Sequence, residues 1–210
     1  MAIGPLDIQN RALAKLGQPP LRAIGDNTTA SRFMIANYDM IRRAELRINF
    51  WNFAMRRVYL ANSVDGSGNA IAPTFGYEFI YPLPGDCVRV AYVNDIFNGL
   101  DFAEYRNTDD SEYKIEANTI VTSFSSPLQL RYVADVTDTN AFDAYFVEAL
   151  AWRIAAEACE TITQSLQKAN KMEMGYKTAI NTAKSAGSME NPPISLPDNT
   201  WLMSRTSSGI

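Results

Sequence analysis

Tyr81-Pro82-Leu83-Pro84-Gly85-Asp86-Cys87-Val88-Arg89-Val90 decides how the chain is read. Two prolines and a glycine close one short aromatic run, and the alternation from Cys87 to Val90 opens the next. Proline gives a ladder no N–H and glycine supplies unusual backbone angles, so the stretch reads as a turn between strands. Upstream, Trp51-Asn52-Phe53-Ala54 stands where a helical period stops, and downstream the segment from Leu130 to Ala151 stands where one resumes. The predicted fold class is α+β: an antiparallel bundle of about four helices, an inserted antiparallel β domain and an extended C-terminal tail. The boundaries implied are 1–50 and 142–190 for the two parts of the bundle, 51–141 for the β domain and 191–210 for the tail.

The first helix is expected from about Asp7 to Leu16, with Asp7 as cap and Gly17 as stop, and Pro19-Pro20 forbid its continuation. Asn27, Thr28 and Thr29 offer caps for a second helix to about Asn49. Its inward face reads Ala30, Phe33, Met34, Tyr38, Ile41, Ala44 and Ile48. A third, from about Phe142 to Thr163 with caps available between Thr137 and Asn140, is apolar almost all round and therefore buried on most sides. The fourth, roughly Ser165 to Ala186, turns Leu166, Ala169, Met172, Tyr176, Ile180 and Ala183 inward.

Between the second and third helices the period shortens to two, and about six or seven strands are predicted. They span Phe53 to Ala61, Phe75 to Tyr81, Val88 to Val93, Asp101 to Arg106, Tyr113 to Glu116, Thr119 to Phe124 and Leu128 to Asp135. Asp65-Gly66-Ser67-Gly68-Asn69 reads as a hairpin tip and Glu116-Ala117-Asn118 as a tighter turn. An antiparallel sheet or small sandwich follows.

With 210 residues and 47% hydrophobic content the chain can build a true core. A net charge of -4 argues against electrostatic nucleic-acid binding, and no apolar run approaches the ~20 residues needed to span a bilayer. The start, Met-Ala-Ile-Gly-Pro, lacks the basic and long apolar regions of a secretory leader, so synthesis in a host cytoplasm and no stable membrane association are expected. Cys87 and Cys159 read as reduced core residues. The chain has no histidine, which excludes Ser-His-Asp and Cys-His catalysis and removes the commonest zinc ligand. No cofactor is expected.

Four groups of residues invite a functional reading. Arg42, Arg43, Arg47, Arg56 and Arg57 form a local basic cluster, read either as an ion-paired face or as a contact with an acidic partner or with passing DNA. Asp109, Asp110 and Glu112 are either a solvated loop or paired carboxylates of the sort glycan hydrolysis needs. Asp135, Asp138 and Asn140 are oxygen-rich but lack the glycine and terminal glutamate of a calcium loop, so capping is the favoured role. In the tail, Pro192, Pro193 and Pro197 alternate with Ile194, Leu196, Trp201 and Leu202, apolar side chains suited to docking on a partner or neighbouring copy.

Three blocks taken in order carry a resemblance to a known family. They are Trp51-Asn52-Phe53-Ala54; Tyr81 to Val90, which follows a Tyr-x-Leu-Pro-x-Asp-Cys-x-Arg-Val pattern; and Leu130 to Ala151. The chain resembles the podovirus tail tubular protein A family, the ring-forming head-to-tail adaptors between portal and tail nozzle in short-tailed phages. The resemblance spans roughly residues 5 to 190 and is strongest at these joints, where Trp51, Phe53, Pro84 and Asp86 read as structural. It implies a virion protein with no enzymatic activity, assembled as a ring of about twelve copies. The partners implied are identical copies, the portal protein, a nozzle of the tail tubular protein B type and possible tail fibres, with DNA only in passage during genome ejection. The helices would face the portal and the β region the nozzle. Rival readings from the residues are a tail-associated glycan hydrolase using carboxylates and a DNA-contacting channel protein using the arginines.

Overall fold

The structure, a computed structural model, describes residues 3–94, 96–97 and 112–190. It is a mixed α+β fold in which four α-helices accompany two antiparallel sheets, with all described strands lying between the second and third helices. No described helix is long and apolar enough to cross a membrane.

Helix α1 spans Pro5–Leu16, and its N-cap is Gly4 rather than Asp7. Proline at the first helical position needs no hydrogen-bond partner, and Asp7, three residues inside, accepts from the Gly4 N–H at 2.8 Å. Gly17 ends the helix at φ 69°, a left-handed conformation that favours glycine. Helix α2, Thr29–Ile48, is capped as expected by the Thr28 hydroxyl, which accepts from the Ser31 N–H. Its inward face, however, is rotated from the expected one. Arg42, Glu45 and Leu46 are buried, whereas Ala44 and Ile48 are exposed. A run of apolar residues near period 3.6 leaves the centre of the face uncertain by about one position, and here buried ion pairs and hydrogen bonds set it.

Helix α3, Ala144–Thr163, starts two residues later than its apolar pattern suggested, because Asp143 accepts from the Tyr145 and Phe146 N–H groups and caps it. Asp138 caps a preceding single 3-10 turn, Thr139–Ala141. Within α3, Phe146, Ala149, Leu150, Ala151, Ile154, Ala155, Ala158 and Cys159 are buried, and the other three helices pack around it. Helix α4, Leu166–Glu190, runs four residues beyond its expected end; Met172, Tyr176, Ile180 and Ala183 face inward, but Leu166 is exposed.

Strands β1 (Met55–Leu60), β3 (Cys87–Val93), β4 (Ile96–Phe97) and β7 (Leu128–Ala134) form one sheet in the order β1-β7-β3-β4. Strands β2 (Phe79–Pro82), β5 (Tyr113–Glu116) and β6 (Thr119–Thr122) form the other in the order β2-β6-β5. The expected strand at Phe75 starts only at Phe79, leaving Phe75 exposed, and the one expected over 101–106 lies outside the described residues. Asp65 organises the predicted hairpin tip by accepting from the Ser67 and Asn69 N–H groups. Ala117 and Asn118 both take positive φ in the two-residue turn between β5 and β6. The sheets and helices share one continuous hydrophobic core, which reaches from Leu13 in α1 to Tyr81 and Ile120 in the second sheet.

Two polar arrangements tie the helices together. Glu148 of α3 accepts from Lys15 and Arg11 of α1, each at 2.5 Å. Against the upward push of partial burial, those two cations hold its carboxyl below the usual range. Glu45 is different: it is buried, its Oε2 accepts from the Tyr176 hydroxyl at 3.0 Å, and its Oε1 has no partner. Burial raises its pKa, and the Tyr176 hydrogen bond and the charge of Arg153 only partly offset that.

An acid whose folded pKa lies above its unfolded value contributes stability that is full below the unfolded value and lost as pH rises through the folded one. Glu45→Gln is therefore expected to raise stability in urea at pH 8, with the gain shrinking as pH falls toward the ordinary carboxylate range. A gain that grows on acidification would mean that Arg153 and Tyr176 hold Glu45 ionised. Close approach of α3 and α4 gives a second test. A Cβ added at Gly175 would lie 2.4 Å from the Trp152 ring, which also carries the Lys15 ammonium 4.0 Å above it. Helix propensity favours Gly175→Ala by about 1 kcal/mol, but overpacking costs about 1–3 kcal/mol. Gly175→Ala should lower the melting temperature in the parent and raise it in a Trp152→Ala background; equal effects in both would show no clash.

Candidate functional site

Two of the three sequence blocks meet at one aromatic joint, and the remaining one, Tyr81 to Val90, is tied to β7. At the centre of the joint Phe146 of α3 takes the Trp51 ring edge-on at 5.0 Å, Phe53 at 5.0 Å and Phe142 at 4.9 Å. Trp51 is 4% exposed, and its indole N–H donates to the Glu45 carbonyl at 3.0 Å, closing the end of α2. Asn52–Ala54 makes one 3-10 turn before β1 begins. Pro84 accepts the Cys87 N–H at 2.9 Å to close the turn into β3, and Asp86 then faces β7. Its carboxylate accepts from the Tyr132 hydroxyl at 3.0 Å, and its backbone carbonyl accepts from the Asp135 N–H at 2.7 Å. Burial, with the Asp86 hydrogen bond second, pushes the Tyr132 hydroxyl up to about 12. Burial and then the Asp86 charge push the Cys87 thiol up to about 11, which makes it a poor nucleophile.

The five arginines do not share one face. Arg42 is 3% exposed, so it belongs to the interior and not to a surface cluster. Its guanidinium donates to the Asp135 carboxylate at 2.5 Å and to the Val136 carbonyl at 2.6 Å. Arg43 flanks the same carboxylate at 3.3 Å. Arg47 donates to the Val88 carbonyl at 2.5 Å, and Arg56 folds back onto the carbonyls of Phe53 and Met55. Arg57, the next residue along β1, faces the other side of the sheet, since side chains alternate along a strand. There it stands opposite Arg131 of β7, whose guanidinium lies 4.3 Å from the Tyr92 ring. Sequence proximity put the five together; helix rotation and strand alternation separate them.

Asp135 is held by two guanidinium groups, and Asp138 caps the turn at Thr139–Ala141 through the Asn140 N–H at 3.0 Å. Among the described residues no cluster of three or more acidic or thiol groups could hold a metal. Asp109, Asp110 and the tail residues Ile194, Leu196, Trp201 and Leu202 lie outside the described residues; Glu112 is exposed beside β5.

A groove of about 770 Å³ runs beside the joint, lined by Phe50, Phe53, Arg57, Arg131, Tyr145 and Glu190 among others. Asn52 pins the end of α4 to its wall, donating to the Glu190 carboxylate at 2.8 Å and to the Gly187 carbonyl. The pairing of Arg131 with Arg57 was not legible before the β1–β7 register was known. The lining mixes aromatic rings with charges of both signs, Arg57, Arg131 and Lys184 against Asp143 and Glu190, which suits extended polypeptide with apolar and charged side chains.

No protein-family model matches the chain, and none of the curated proteins matches it either.

Trp51→Ala removes a nearly buried indole and is expected to cost about 3 to 5 kcal/mol, lowering the melting temperature on the order of 10 °C. Phe53→Ala should cost less, because one edge of its ring already faces the groove. Thermal unfolding checks both, and a parental melting curve for Trp51→Ala would show the indole to be a contact surface and not a core residue.

Proposed function

We propose that this chain is a structural subunit of a phage virion, a head-to-tail adaptor that packs beside identical copies in a ring between portal and tail nozzle and continues the channel for genome ejection. The observation that carries the assembly part of this reading is an exposed apolar stripe on α2. Met40, Ala44 and Ile48 recur at four-residue spacing on its outer side, with Met40 68% exposed. Solvent-facing helix surface is ordinarily polar, and a contiguous apolar strip on it fits burial against another protein. A ring requires such heterologous side-to-side contacts. The adaptor part rests on the sequence blocks at Trp51–Ala54, Tyr81–Val90 and Leu130–Ala151, and the contacts of the first and second with the third support reading them as one unit.

In this reading the four helices act as an antiparallel bundle toward the portal and the sheets extend toward the nozzle and any tail fibres. The ring holds about twelve copies, binding energy rather than turnover is the protein's work, and DNA passes without being held. Of the five arginines, Arg42 is buried in the subunit, and Arg43, Arg47 and Arg56 are each engaged within it.

Native mass spectrometry of the purified chain, alone and with the portal protein of the same virion, tests this directly. A ring on the portal is expected for the parent, and Ala44→Glu should prevent it while leaving the melting temperature unchanged, because Ala44 is exposed in the subunit. A parent that never associates with itself or with the portal would overturn the adaptor reading. An Ala44→Glu variant that assembles normally would remove the α2 stripe from the interface.

A further inference from the structure

We propose that the groove beside the Trp51 joint is the seat of the chain's own segment from Pro192 to Trp201, bound within the same subunit. The inference does not depend on the adaptor reading. It starts from where α4 ends. Glu190, the last described residue, lines the groove, and Asn52 holds it there through its carboxylate. Pro192 and Pro193 cannot continue a helix, and the segment is joined to Glu190 by a single residue.

The chemistries of groove and segment match. The groove has the partly exposed aromatic edges of Phe53 and Tyr145 and the exposed aliphatic stem of Lys184, with Arg57 and Arg131 at one side. Arg57 and Arg131 face each other across the β1–β7 pair, a like-charge arrangement that destabilises a sheet unless an anion lies between or beside the two. No carboxylate among the described residues pairs with either one within salt-bridge distance. The segment reads Asn191-Pro192-Pro193-Ile194-Ser195-Leu196-Pro197-Asp198, so in an extended chain Ile194, Leu196 and Asp198 fall on one side. That side offers two aliphatic anchors followed by a carboxylate. From Glu190, eight extended residues reach at most about 26 to 29 Å, and Arg57 and Arg131 line the same groove as Glu190.

Three prolines in seven residues restrict the segment to extended backbone and so lower the entropy lost on docking. Direct attachment at Glu190 adds a high effective concentration, so even weak contacts suffice in cis. A separate copy would have to supply the same contacts without that advantage.

Hydroxyl-radical footprinting of the full chain, with the synthetic peptide 191–210 as the unprotected reference, reads the proposal. Side chains from Ile194 to Trp201 should oxidise several-fold more slowly in the protein than in the peptide, independently of protein concentration. Arg57→Glu with Arg131→Glu, and separately Asp198→Lys, should each abolish the protection while the circular dichroism spectrum stays parental, and combining all three should restore it. Oxidation at the peptide's rate in the parent would overturn the proposal, as would protection indifferent to these charge changes. Protection that rises with concentration would overturn it in favour of a segment donated by a second copy.

Discussion

Phe146 is the side chain on which the arrangement of layers depends. It is fully buried near the start of α3, and three aromatic rings from two other segments meet it within about 5 Å. Trp51 and Phe53 arrive from the end of α2 and the start of β1, while Phe142 arrives from the turn that leads out of β7. Edge-to-face geometry of this kind adds about 0.5–1.5 kcal/mol per pair beyond the area buried. The chain's two crossings between helix and sheet are thus fastened at one point. Once Phe146 is placed, the direction in which β1 leaves α2 and the direction from which α3 follows β7 are no longer independent.

Polar groups then set the rotation of α2 inside that frame. Arg42 reaches from the helix to Asp135 and the Val136 carbonyl, and Glu45 reaches to Tyr176 on α4. A buried ion pair adds little net stability over a well-packed apolar one, but losing one partner leaves an uncompensated charge and costs about 3–5 kcal/mol. The Arg42–Asp135 pair therefore penalises wrong rotations more than it rewards the right one. The rotation they enforce turns Met40, Ala44 and Ile48 outward, and the apolar stripe on which assembly is proposed follows from the same polar contacts.

The sheet contributes in a comparable way. Strand β7 lies between β1 and β3, buried over most of its length, and its register with β1 sets Arg131 across from Arg57. Two irregularities in the β3–β7 pairing, between Cys87 and Arg89 and between Val90 and Tyr92, re-aim the residues after the Pro84 turn. Tyr92 thereby shares the solvent face with Arg131, and a cationic and aromatic strip forms beside the groove.

Local sequence determined the element types and much of their order. Thr28, Gly17, Pro84 and the Asp65-to-Asn69 tip act through hydrogen bonds and backbone angles that involve only a few neighbouring residues, so their signals are readable one segment at a time. Tertiary structure alone decided which side of α2 is inside, that Arg42 is a core residue while Arg57 is not, that β2, β5 and β6 form a separate sheet, and that a groove opens where α4 ends. Each of these depends on contacts between residues tens to over a hundred positions apart, such as Arg42 with Asp135 and Asn52 with Glu190. A helical period leaves the angle of a face loosely defined, and a strand's alternation leaves its partner and register undefined. Those quantities acquire values only when distant side chains compete for the same buried space.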